Sequence, residues 1–283
     1  MAATHSYRTP TVYESTASGL PPLWPYLSEL KSRRRFIWHL ARTDLKAEHY
    51  DSAIGQLWVI LDPLLLAAVY FLLRTVVKPV GTGVNRNAII AHLLWAVFVF
   101  TFVSNTMMAG ARSLLNGRQL ILNASFPRAA LPLVSVIKGV FDFLPTLFIY
   151  FVFAFILGQP FGAPLVFLPV IVVLLTIMTL GLGLLLAPIM VFYRDTGGFL
   201  PYATRIWLYV TPVLYFVSEI PRSLLPYLRW NPLYPSYAAL EQVFNGRWPS
   251  PGYLFATSVW AFGFFFLGAV VFLARERDFA VRL

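Results

Sequence analysis

The chain has 283 residues, of which 58% are hydrophobic, 17% aromatic and only 12% charged. That charge is about half of what an average soluble domain carries, and one soluble core has too little interior for so many large apolar side chains. A water-soluble globule and a disordered chain are both excluded, and a polytopic membrane protein remains. In such a protein, 22 Lys and Arg against 12 Asp and Glu speak of topology and anionic lipid, and no nucleic-acid partner is expected.

Residues 1–27 are polar and rich in Thr, Ser and Pro. With no apolar run, they read as a disordered cytoplasmic tail and not as a signal peptide. Residues 28–53 predict an amphipathic helix. Phe36, Ile37, Leu40, Ala41 and Leu45 share one face, while Arg35, His39, Arg42 and Lys46 share another. That pattern suits a helix lying in the headgroup layer. A cytosolic helix seated on a partner protein is the alternative, and the span that follows directly favours the interface.

Residues 54–283 then read as an all-α transmembrane domain. Against the ~20 apolar residues a span needs, six spans are expected, at about 54–77, 88–111, 132–157, 165–192, 199–218 and 252–274. Gly158, Pro160, Gly162 and Pro164 separate spans three and four, as turn-forming residues should. The stretch 219–251 differs in kind, with six prolines among Trp and Tyr. It reads as a long external segment of short gate or re-entrant helices between spans five and six. Six spans place both termini on one side. With that side cytoplasmic, the inner segments hold 14 Lys and Arg and the outer ones five, which is the positive-inside bias.

Enzyme chemistry finds little support. There is no Cys, hence no thiolate site or redox switch. No GxxxxGK[ST] loop, HExxH or GxSxG occurs, and the four His show no metal spacing. No cofactor or metal is expected. Ionisable residues inside spans are the default functional candidates. Lys138 and Asp142, at i and i+4 on span three, can form an intramembrane pair, structural or functional; Asp62 is a third. The acids are few and near span ends, which argues against a proton- or sodium-coupled carrier.

Two further features stand out. The segment Arg112–Arg128 is long enough for a short amphipathic helix that a cytosolic partner can grip; a plain interfacial connector is the alternative. The aromatic residues, among them Tyr70 on span one and Trp207, Tyr209 and Tyr215 on span five, can stack on the C–H faces of a sugar polymer. Trp207 and Tyr215, eight residues apart, are expected near one helical face, with Tyr209 away from it. A lipid-facing aromatic belt is the alternative.

At these residues the chain resembles the permease subunit of ABC-2 type exporters of polysaccharides and lipid-linked glycans. The run from Arg42 to Leu65, through Gly55, Trp58 and Asp62-Pro63, is similar to that family's entry into span one. Asn116, Leu120-Ile121, Phe126-Pro127-Arg128 and Leu131-Pro132 follow its next motif. Tyr193-Arg194-Asp195, Thr211-Pro212-Val213-Leu214-Tyr215 and Asn231-Pro232-Leu233 follow in its order, and Arg275 to Ala280 fit its ending. The likeness covers about residues 35–283; Ala47-Glu48-His49 departs from it, standing where the family has a basic or aromatic run.

The resemblance implies a homodimer working with two separate ATPase subunits, which bind the ATP. It implies transport of a lipid-linked glycan across the cytoplasmic membrane. Residues Asn116, Leu120, Ile121, Phe126, Pro127 and Arg128 would form the ATPase-coupling loop. Tyr70, Trp207 and Tyr215 are taken as the translocation path. An exporter of small lipids or drugs is the alternative, followed by a membrane enzyme acting on lipid-linked sugars.

Overall fold

A computed structural model describes residues 22–47, 55–77 and 85–282. Residues 1–21 of the tail expected over 1–27, the end of the first expected helix at 48–53, and Lys78, His5 and His49 lie outside the described residues. Twelve α-helices are described, and no strand among them: α1 Leu23–Ser32, α2 Arg34–Ala47, α3 Trp58–Val77, α4 Arg86–Asn116, α5 Arg118–Asn123, α6 Ala130–Ile156, α7 Leu168–Phe192, α8 Thr196–Val210, α9 Leu225–Leu228, α10 Tyr234–Phe244, α11 Pro251–Arg275 and α12 Phe279–Arg282. The expected helix at 28–53 is two helices that meet at Arg33, and the first starts at Leu23, inside the expected tail. Pro25 falls in its first turn, where a missing N–H costs nothing.

Among the described residues, five helical stretches are long and apolar enough to cross a membrane: Trp58–Val76, Arg86–Asn116, Ala130–Ile156, Ala163–Phe192 and Pro251–Asp278. The protein is an all-α, multi-pass membrane protein. Helix α4 is the central one. Its most apolar window is 78% buried, against 17% for that of α3. The Asn85 side chain caps it, accepting from the N–H groups of Asn87 and Ala88. Its 31 residues reach about 46 Å, well beyond a ~30 Å hydrocarbon core.

The crossing expected over 199–218 is built differently. Its α-helix is α8, 15 residues long, which begins at Thr196 and ends at Val210. The helix stops at Thr211, which is extended (φ −85°, ψ 143°) because Pro212 follows it. The segment nevertheless runs the length of α4. The Arg112 guanidinium donates to the Gly197 carbonyl at 3.4 Å, the rings of Phe100 and Trp207 meet at 6.1 Å, and those of His92 and Phe216 at 4.3 Å. From Arg112 to His92 is about 30 Å along a helix axis. A short helix and an irregular tail thus span the bundle together.

Small residues set the helix crossings. The Cβ that a side chain at Gly110 would add lies 3.1 Å from the Gly183 Cα, where α4 crosses α7. Gly181 and Gly268 let α7 and α11 approach backbone to backbone, and a Cβ on either would strike main-chain atoms of the other helix. Without a hydrophobic force between helices in lipid, such close approach supplies the dispersion contacts that hold a pair together.

The segment 219–251 is short-helical, as expected, and its main helix enters the bundle. Pro235 sits in the first turn of α10, and the residues from Tyr234 to Leu240 are all buried. The Tyr237 hydroxyl donates to the Ala96 carbonyl at 2.7 Å, about 15 Å inside α4 from its Arg86 end.

Candidate functional site

The end of the bundle that carries α5 is the first candidate. Helix α4 stops at Gly117, whose N–H returns to the Ser113 carbonyl at 2.9 Å, and α5 turns back across the bundle. Ile121 and Phe126 enter a core shared with Ile37 and Ala41 of α2, Leu131 and Val134 of α6, and Phe272 and Phe279 near the C-terminus. The Phe126 ring packs on Phe36 at 5.7 Å. Glu276 ties the ends together. Its Oε1 accepts from the Arg128 N–H at 2.7 Å and from the Tyr26 hydroxyl at 3.0 Å, and the Tyr26 oxygen accepts from the Ala129 N–H at 3.2 Å. The Arg128 guanidinium donates to the Glu276 carbonyl. Burial first, and the Glu276 carboxylate second, push the Tyr26 phenol well above its ordinary range, so it stays a donor.

The loop residues singled out from sequence divide accordingly. Asn116 is exposed and Leu120 half-buried. Ile121, Phe126 and Pro127 are buried, and Arg128 is engaged within its own chain. Beside Asn116, the exposed residues of this stretch are ones the motif did not single out: Leu115, Arg118, Gln119, Leu122, Asn123, Ala124 and Ser125. Leu122 is 52% exposed. The i, i+3, i+4 spacing of 115, 118, 119 and 122 was the available signal.

On α2, Arg35, His39, Arg42 and Lys46 are all exposed, while Ile37 and Ala41 are buried and Phe36, Leu40 and Leu45 half-buried. The apolar face lies on α6, where Trp38 meets Phe141 edge-on at 5.4 Å.

The residues taken as the translocation path do not form one track. The expected shared face of Trp207 and Tyr215 is absent, because the helix ends at Val210 and the eight-residue spacing no longer applies. Trp207 is fixed inside the chain, its Nε1 donating to Asn231 Oδ1 at 2.8 Å. The Tyr215 hydroxyl returns to the Val210 carbonyl at 3.1 Å. Tyr70 is buried, and its hydroxyl meets that of Tyr209. The exposed face of α8 carries Phe199, Tyr202, Ile206 and Tyr209, at helical spacing.

At the opposite end from α5, Arg74 closes α3 onto the segment after α8. One guanidinium nitrogen lies 2.9 Å from both Glu219 carboxylate oxygens, the other donates to the Leu214 carbonyl at 2.6 Å, and the group sits over the Phe216 ring. Two lone charges in an apolar sequence were the only hint of this pairing. Lys138 and Asp142 lie on α6, on the wall of a cavity shared with α3 and α4. Among the described residues, no group of three or more His, Asp or Glu comes together to hold a metal ion.

The all-α bundle thus carries a surface helix, a clamped loop at one end and the short buried helix α10 at the other. Residues 36–245 match the ABC-2 type transporter family, and the chain belongs to it. Among curated proteins it is similar to the O-antigen export system permease protein RfbA of Myxococcus xanthus. The two are 29% identical over 261 residues, covering 89% of this chain and 96% of that one. Two permease proteins of the same name from Klebsiella pneumoniae are 25% identical over 242 residues and 27% over 195. The first alignment covers 85% of this chain and 92% of the relative, the second 69% and 74%.

Proposed function

We propose that this chain is the membrane-spanning subunit of an ATP-driven exporter that moves a lipid-linked polysaccharide across the cytoplasmic membrane. ATP is bound and hydrolysed on a separate subunit, and this chain supplies no catalysis of its own. The relatives, O-antigen export permeases by name, support the substrate class. The observation that carries the mechanism is α5, a short helix with an exposed Leu-Arg face, clamped at its base by Phe126 and Glu276. A lever held this way passes an ATPase movement into α4, α6 and α11 together.

Two copies form the working unit, with two ATPase subunits docked on the α5 ends. The exposed face of α8, with Tyr202 and Tyr209, faces the path between the copies, and its rings slide along sugar C–H faces without fixing a register. The Arg74–Glu219 contact and α10 close the path on the outer side. Both termini are cytoplasmic, in line with the Lys and Arg distribution. The α2 cations Arg35, His39, Arg42 and Lys46 rest among anionic headgroups.

The test is complementation. Cells lacking this chain should lose surface polysaccharide while the glycan accumulates on its lipid carrier inside. The chain restored together with its ATPase should rescue export, and either subunit alone should not. Rescue of drug resistance with surface glycan unaffected would overturn the reading.

A further inference from the structure

A cavity of about 460 Å³ lies between α3, α4 and α6, wholly inside one copy of the chain. That volume falls within the roughly 300–1,000 Å³ of small-molecule sites. The wall carries Asn105 from the middle of α4, about 15 Å from its α5 end, so its polar group stands at hydrocarbon depth. Asn105 is exposed although its helix is the most buried of the spans; it faces the cavity.

Thr106 stands behind that wall, where α4 meets α6. Among the described residues, other buried Ser and Thr hydroxyls, such as Ser113, Thr146, Thr179 and Thr204, donate to a backbone carbonyl three or four positions earlier. The Thr106 hydroxyl is buried and has no partner. Gly139 on α6 makes room for it; a methyl group there would collide with the Thr106 oxygen. That oxygen has no surface open to the cavity, so it belongs to the α4–α6 contact and a ligand does not reach it.

The remaining wall sets the ligand class. Asp62 and Asp142 balance Arg112 and Lys138, so the lining has no net positive charge with which to hold a phosphate or pyrophosphate. Carboxylate, amide and hydroxyl groups stand beside the rings of Trp58, Phe98, Phe102 and Phe143. Such a set matches a neutral molecule with apolar faces and many hydroxyls. We infer that this cavity is a sugar-binding site that holds a short stretch of the glycan inside each copy, on the α5 side of the membrane. The inference rests on the polysaccharide reading above, and it places a sugar contact off the path between copies.

The natural absence of Cys makes the test direct. In the assembled permease–ATPase complex, Asn105→Cys supplies one thiol on the cavity wall, and its labelling rate by a small maleimide reports occupancy. The probes are oligosaccharides released by mild acid from the cell's own surface polysaccharide, inorganic pyrophosphate, and vesicles containing a sugar-free polyprenyl phosphate. The oligosaccharide should slow labelling about tenfold, and the two phosphate probes should not. No protection by oligosaccharide would overturn the site. Equal protection by either phosphate probe would also overturn it, in favour of an anionic headgroup. Failure of the wild-type chain to restore surface polysaccharide would strike the export reading alone, because protection is read without transport.

Discussion

Glu276 is one carboxylate on which three separate parts of the chain depend: α1 through Tyr26, the α5–α6 loop through Arg128, and the end of α11 through its own position. Tyr26→Phe removes a phenol that both donates to Glu276 and accepts from the Ala129 N–H. The expected cost is about 1–3 kcal/mol, the price of an orphaned buried group. Trypsin should then cut earlier at Lys31 to Arg35, the bonds that open when α1 lifts. Glu276→Gln, which keeps an accepting oxygen, should be milder in the same assay. Trp207 poses a similar question, because its indole N–H is bound to Asn231. Trp207→Ala should lower the melting temperature of the purified complex. Tyr202→Ala, at an exposed ring, should leave melting unchanged and reduce surface glycan.

At the scale of elements, α5 separates two roles that the motif in its sequence runs together. Phe126 is a buried anchor, so Phe126→Ala should destabilise the chain by roughly 3–5 kcal/mol. Leu122 and Arg118 are exposed, so Leu122→Ala and Arg118→Ala should leave the fold intact and lower the ATPase rate of the partner in the complex. Loss of folding in both of these variants would end the assignment of that face to a partner. The α7–α11 pair depends on Gly181 and Gly268 in the same local way. Gly268→Leu forces a side chain against the α7 backbone. It should cost about 1–3 kcal/mol or more by overpacking, seen as a lower melting temperature and a broader elution profile. The Arg74–Glu219 contact is partly buried, with side chains 11% and 29% exposed. Arg74→Ala should therefore free the segment after α8, and a cysteine placed at Ser218 should react faster with an impermeant maleimide.

For the whole molecule, the arrangement of ends carries the orientation. The described start of the chain, α5 and the C-terminal helix gather at one end of the bundle, bound through Glu276, while Arg74, Glu219 and α10 occupy the other. A cysteine at Asn116 should label only from the cytoplasm, and one at Leu224 only from outside. Labelling of both from one side would remove the six-crossing topology. Tyr202→Cys should form a disulfide-linked dimer under mild oxidation if the α8 faces of two copies oppose each other.

The sequence by itself determined the class of this protein and most of its elements. Twenty-residue apolar runs leave the backbone no choice but helix in lipid, because each N–H and C=O must be satisfied within its own segment. The positions of α3, α4, α6, α7 and α11 follow from that. The basic face of α2 was legible for a related reason, since a 3.6-residue period needs no knowledge of neighbours. Pro212 marked the end of α8 in plain view, yet the expected span ran past it, because hydropathy registers apolar side chains and not the conformation imposed before a proline. Which helix stands at the centre, which of Phe126 and Leu122 faces inward, and that Thr106 is left without a partner beside a cavity were decided only by tertiary structure. Each of these depends on what another helix places opposite, and a string of uniformly apolar segments carries no record of that pairing.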